Sequence, residues 1–196
     1  MTDPSISSPA PIVCSNIPIL SKHLSYISAS IVPGVTKFNE GDRIVLHWKV
    51  GSGIQSEAPI YKWRGNKLNA GWVTTFNEYA IVSENRCTTI PKDTNKELAA
   101  LFGCAITTGF GVIENNAKLK IGESIVVFGA GGIGLNIIQA ASLSSAWPII
   151  AVDLYDSRLE LAKKFGATHT INSSKFDPKE MISKIMNGIC LETIVG

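Results

Sequence analysis

The sequence predicts an α/β fold in which a parallel sheet follows a small all-β unit. Three observations predict it. Ile125, Val126, Val127 and Phe128 run straight into the glycine cluster Gly129–Gly134 and then into a helical pattern. Beyond that cluster, strand and helix signals alternate, which implies parallel strands joined by right-handed crossovers. Before it, turn residues separate short β-branched and aromatic runs. Three segments are expected: a poorly ordered or extended lead-in over 1–30, a β unit over 31–93, and a connector helix with the parallel sheet over 94–196.

Taken in order, residues 1–30 are rich in Ser, Pro and Ile, without a helical period. His23 stands alone there and reads as a surface residue rather than a ligand. Val35–Arg43 followed by Ile44-Val45-Leu46 reads as a turn feeding a strand. Gly51-Ser52-Gly53 opens a loop expected to run to Ala70-Gly71, and Trp72–Val82 reads as one or two strands. Thr94 with Glu97 forms a capping-box pattern ahead of Leu98, Leu101, Phe102 and Ala105 at helical spacing. Thr107, Thr108, Gly109 and Gly111 are expected to interrupt that helix before it resumes to Lys118. After the glycine cluster, strands are expected at Pro148–Val152, Thr168–Ile171 and Leu191–Val195. A helix over Arg158–Phe165 should stop at Gly166. Asp177-Pro178-Lys179-Glu180 is a helix start, with Asp as cap and Pro in the first turn.

The glycine cluster carries the chemistry. A strand that turns sharply into a helix leaves backbone N–H groups unpaired at the positive end of the helix dipole, which makes a phosphate site. Gly129 suits the tight turn, Gly131 the approach of a pyrophosphate, and Gly134 the close packing of helix on strand. Asp153 closes the next strand, near the spacing at which a carboxylate grips an adenosine ribose. A dinucleotide is therefore the expected ligand, and another nucleotide such as a methyl donor is the alternative.

Composition narrows the classes further. A net charge of +2 over 196 residues, with no basic run, argues against nucleic acid and membrane surfaces as partners. Cys14, Cys87, Cys104 and Cys190 form no CxxC pair and read as thiols in a reducing, cytoplasmic setting. Ser124–Val152 has no charged residue and the length of a bilayer span, but its glycines, Asn136, Gln139 and Pro148 fit buried strands and a helix instead. No secretory signal is expected.

From Gly34 onward the sequence resembles the zinc-containing alcohol dehydrogenases of the medium-chain dehydrogenase/reductase superfamily. The resemblance rests on Gly34–Lys37 with Gly41–Val45, on Phe76-Asn77-Glu78-Tyr79, on Gly103–Gly111, and on Gly122-Glu123 leading into Gly129–Gly134. It implies part of a chaperonin-10-like β domain ahead of an incomplete Rossmann-type domain. It also implies hydride transfer between an alcohol or aldehyde and NAD. By resemblance, Gly129, Gly131, Gly132 and Gly134 would cradle the pyrophosphate and Ile133 would pack near the nicotinamide ring. Thr108 would touch the nicotinamide, while Asp153 and Arg158 would hold the adenosine ribose. The charge of Asp153 disfavours a 2′-phosphate, so NAD is expected over NADP.

The sequence also departs from the family. Catalytic zinc needs three protein ligands and an open position. Cys104 is the one residue matching a family ligand, and a buried structural cysteine is the competing role for it. Neither His23 nor Cys14 carries the motif of the other ligands, and the loop Gly51–Gly71 has no cysteine for a second, structural zinc. Both ends look truncated against the family, and an open sheet edge would invite a second copy of the chain. Two other functions therefore stand beside the dehydrogenase: a silent relative that at most binds NAD, and a zinc-independent reductase of the quinone reductase kind.

Overall fold

The computed structural model describes residues 12–16, 25–69, 71–75 and 79–196. Strands β1 (Ile12–Asn16), β2 (Ser25–Ser30), β3 (Arg43–Leu46), β6 (Tyr79–Val82) and β7 (Cys87–Thr89) form an antiparallel sheet in the order β6-β1-β2-β3-β7. Strands β4 (Ile60–Trp63) and β5 (Asn66–Asn69) make a separate hairpin. Helices α1 (Lys96–Phe102) and α2 (Ala105–Gly111) follow, then a π-helical turn over Val112–Ala117. Strand β8 (Ile125–Phe128), helix α3 (Gly132–Leu143), strand β9 (Ile149–Asp153), helix α4 (Asp156–Lys164), strand β10 (His169–Asn172), helix α5 (Pro178–Met186) and strand β11 (Thr193–Val195) complete the chain. The chain divides into Met1–Cys104 and Ala105–Gly196. That division falls later than residues 93–94, because α1 lies against β2 and β3.

In the first unit, Phe38, Ile44, Leu46, Ala80, Val82 and Cys87 make the core. Strands β1 and β2 occupy part of the expected lead-in, and pairing with β6 and β3 is what makes them strands. The hairpin β4–β5 lies inside what reads as a loop. Its turn is Arg64-Gly65, both at positive φ (49° and 80°), the conformation that a two-residue hairpin turn needs. Residues 72–75 are not strand, so the expected strand over Trp72–Val82 reduces to β6. Phe76, Asn77 and Glu78 lie outside the described residues, as does His23.

Glu84 ties this unit together from within. Its Oε1 accepts from the N–H groups of Thr36 (2.7 Å) and Lys37 (2.9 Å), and its Oε2 from that of Ile54 (2.7 Å). The loop passes so close that a Cβ on Gly53, at φ +113°, would stand 2.8 Å from Oε2. Burial pushes the Glu84 carboxyl up, but these backbone donors and the Lys37 ammonium outweigh it and hold the group below its ordinary range.

In the second unit all strand pairs are parallel and the order is β10-β9-β8-β11. In chain order that is third, second, first, fourth, the arrangement of a Rossmann-type dinucleotide fold up to its switch point. The uninterrupted apolar runs of β8 and β9 are explained by burial on both faces. Ile125, Val127, Ile149 and Ala151 join the core beneath α3 and α4, while Val126, Ile150 and Val152 pack with Ile171 and Met186 on the other face. No single helix among the described residues is long and apolar enough to cross a membrane.

The helix ends follow their local chemistry with one correction. Asn95, not Thr94, caps α1, its side chain accepting from Glu97 N–H (2.8 Å) and Leu98 N–H (3.0 Å). Thr107, Thr108, Gly109 and Gly111 lie inside α2 rather than breaking it; the break is at Gly103-Cys104. Asp177 caps α5 through Lys179 N–H, with Pro178 in the first turn. Gly166, at φ +112°, follows α4 where expected, and its missing Cβ is also a packing need, since one would stand 2.4 Å from the Ser142 side chain.

Candidate functional site

The turn from β8 into α3 emerges where β8 lies between β9, which follows it in the chain, and β11, to which the chain crosses back after β10. In open parallel sheets such a switch point leaves a crevice beyond the strand ends, and ligands bind there. The glycines of the turn do not all answer to the same physical demand. Gly129 takes φ +93°, which a side-chain-bearing residue adopts only with strain. A Cβ on Gly134 would stand 1.8 Å from the Gly129 carbonyl oxygen, so helix and turn close on each other only with glycine there. Gly131 and Gly132 are different: a Cβ on either would meet nothing within 4 Å. Their bareness therefore serves no packing need and leaves an open approach to the backbone.

The start of α3 is equipped to receive an anion. Gly131 caps it in extended conformation without a side-chain hydrogen bond, and no acidic residue lies in its first turn. Ile133, in that turn, is 46% exposed and Ala130 only 1%. On the other flank, α2 crosses α3 at Gly109, where a Cβ would stand 2.5 Å from the Asn136 Cβ. Thr108, beside Gly109, is exposed on α2.

Asp153 ends β9 next to the turn and is 6% exposed. Its Oδ2 accepts from Ala130 N–H at 2.8 Å and its Oδ1 from Tyr155 N–H at 3.0 Å. Arg158 Nη1 stands 3.6 Å from Oδ2, and its guanidinium lies over the Tyr155 ring, 5.0 Å from the centroid. Burial pushes the Asp153 carboxyl up, but the Ala130 and Tyr155 N–H groups and the Arg158 guanidinium outweigh it and hold the acid below its ordinary range. The acid is thus a fixed, charged acceptor beside the open turn.

The fold places Asp153 and Arg158 beside the turn that carries Gly129, Gly131, Gly132, Ile133 and Gly134. Sequence reasoning missed Ala130 and Tyr155. For Tyr155 a signal exists, since an aspartate commonly accepts from the backbone two residues on; the Ala130 contact spans 23 residues and has no local signal. Cys104 is exposed between α1 and α2, so the buried structural role expected for it does not hold. Among the described residues no group of three or more His, Cys, Asp or Glu side chains is placed to hold a metal ion.

Residues 132–195 match the model of a family described as zinc-binding dehydrogenases. Over 119 residues the chain is 42% identical to an S-(hydroxymethyl)glutathione dehydrogenase of Photobacterium damsela subsp. piscicida, covering 61% of this chain and 30% of that one. The counterpart from Haemophilus influenzae is 41% identical over the same length and shares. Among solved structures, benzyl alcohol dehydrogenase from Acinetobacter calcoaceticus superposes with a TM-score of 0.73 at 31% identity, covering 91% of this chain and 61% of that one. An alcohol dehydrogenase zinc-binding domain protein from Burkholderia ambifaria gives 0.72 at 26% identity, covering 92% and 60%. The matched stretch spans under a third of the length of the curated relatives.

Proposed function

We propose that this chain, a member of the zinc-type medium-chain alcohol dehydrogenase family, binds NAD in its second unit and serves hydride transfer between an alcohol and its aldehyde. The observation that carries the cofactor half is the division among the turn glycines. Gly129 and Gly134 are demanded by the backbone, whereas Gly131 and Gly132 face open space and answer only to a ligand. The pyrophosphate would lie against the first-turn N–H groups of α3, where the helix dipole favours negative charge. Asp153 would accept from the adenosine ribose hydroxyls with Arg158 beside it, and Ile133 and Thr108 would flank the nicotinamide. The negative charge of Asp153 opposes a 2′-phosphate, which supports NAD over NADP.

The nicotinamide would supply the hydride acceptor when bound. Zinc, which the family implies, does not fit the described residues, because Cys104 belongs to no group of three or more His, Cys, Asp or Glu side chains among them. The dehydrogenase names of the relatives support an alcohol or aldehyde as the substrate. Scattered cysteines support a cytoplasmic setting.

Calorimetric titration with NAD tests the cofactor half. Wild type is expected to bind, and Gly131→Val to lose at least about tenfold in affinity while remaining folded, because its side chain would occupy the phosphate approach. Equal binding by the variant would overturn the site. NADH formation across a panel of alcohols, with and without added zinc, tests the reaction. Binding without any turnover would leave a cofactor-binding relative in place of a dehydrogenase.

A further inference from the structure

We infer that Asp153 holds the phosphate-binding turn in shape through the Ala130 N–H, and so supports pyrophosphate binding independently of any contact with a ribose. The inference rests on the cofactor reading above and deepens it.

Two consecutive N–H groups of the turn are tied to two consecutive residues of β9. Gly129 N–H donates to the Val152 carbonyl at 2.7 Å, and Ala130 N–H to Asp153 Oδ2 at 2.8 Å. The first bond is backbone to backbone. At the second position the chain has already turned toward α3, and a side-chain carboxylate replaces the carbonyl. The Ala130 side chain is buried in the core beneath α3, so this peptide is gripped from both sides. The clamp itself is rigid, because Tyr155 N–H holds the other carboxylate oxygen at 3.0 Å.

The turn needs such a clamp. Gly129, Gly131 and Gly132 surround Ala130, and glycine gives the backbone its widest freedom. Gly131 makes no side-chain cap that would fix the start of α3. With the acceptor gone, a buried N–H is left unpaired, which favours a rearranged turn. A carboxylate has about four acceptor positions, so Asp153 can serve both the turn and a ribose.

The two roles separate with a ligand that lacks ribose hydroxyls. ADP and 2′,3′-dideoxy-ADP are titrated into wild type, Asp153→Ala and Asp153→Asn, and amide hydrogen exchange is read at Ala130. Removing a negative charge by itself should strengthen binding of an anion, so the sign of the effect decides. For dideoxy-ADP, D153A is expected to weaken binding about tenfold. D153N keeps one acceptor oxygen for two N–H donors and sets its NH2 against the other, so it should fall between wild type and D153A. Ala130 should exchange slowly in wild type and fast in D153A.

Dideoxy-ADP binding to D153A as tightly as to wild type, or more tightly, would overturn the inference and leave the cofactor reading standing. If D153A does not fold, D153N decides: Ala130 protection and dideoxy-ADP binding should be kept or lost together, and protection lost with binding unchanged overturns the clamp. Wild type that binds neither nucleotide overturns the cofactor reading, and the inference with it.

Discussion

Glu84 and Asp153 are the same device used in two settings. Each is a buried carboxylate that gathers backbone N–H groups from separate segments, and each is held ionised by those donors and a nearby cation. Around Glu84 the chain closes in: three N–H groups engage both carboxylate oxygens, and Gly53 presses so close that a Cβ would stand 2.8 Å from Oε2. Around Asp153 one flank stays open, because Gly131 and Gly132 meet nothing and Arg158 is only loosely paired at 3.6 Å. The first carboxylate is spent on holding loops together. The second holds a loop beside an open flank, and that open flank is what the proposed cofactor site would use.

The largest way to break this comparison is Gly134→Ala. Its Cβ would collide with the Gly129 carbonyl, and about 3 kcal/mol or more of stability should be lost from the second unit, measured by urea unfolding. Glu84→Ala should cost the first unit a comparable amount, about 3 kcal/mol, since three part-buried N–H donors lose a charged acceptor. NAD affinity, measured well below the unfolding transition, should not change in that variant; a drop would contradict the division of roles. Gly131→Val sharpens the contrast from the other side. It should shift stability by no more than about 0.5 kcal/mol, because the new side chain enters open space at an ordinary φ of −80°.

The smallest expected effect is in acid. Both carboxyls have folded pKa values below their ordinary ones, so the unfolded state binds more protons through that range and stability rises with pH. The contribution is complete above the ordinary values of 4.5 for Glu84 and 3.8 for Asp153, and is lost as pH falls below them toward the folded values. Glu84→Gln should flatten the acid limb of the first unit's stability curve without altering that of the second.

Much of the second unit was legible because its signals are local. The apolar run of β8, the glycine spacing, Asp153, Arg158 and the Asp177-Pro178 start are each decided within a few residues by backbone conformation or capping. The first unit was less so. The hairpin β4–β5 exposes Ile60, Trp63 and Leu68 and so lacks the alternation that marks a half-buried strand. Asn95 displaced Thr94 as a cap because Thr94 offers its carbonyl to Arg43 at 2.9 Å, a contact across 51 residues.

The sequence by itself determined that a strand turns through glycines into a helix and that an acid follows one strand later, since both depend on dihedral freedom and apolar period. Only the tertiary structure decided what those residues do for one another. It separated the glycines that the fold requires from those it leaves open, because that depends on which atoms stand opposite a missing Cβ. It turned Asp153 toward Ala130, because pairing β8 beside β9 brings the end of one strand against the turn of the other. It left Cys104 exposed, since burial depends on how the surrounding segments pack and not on the residue type.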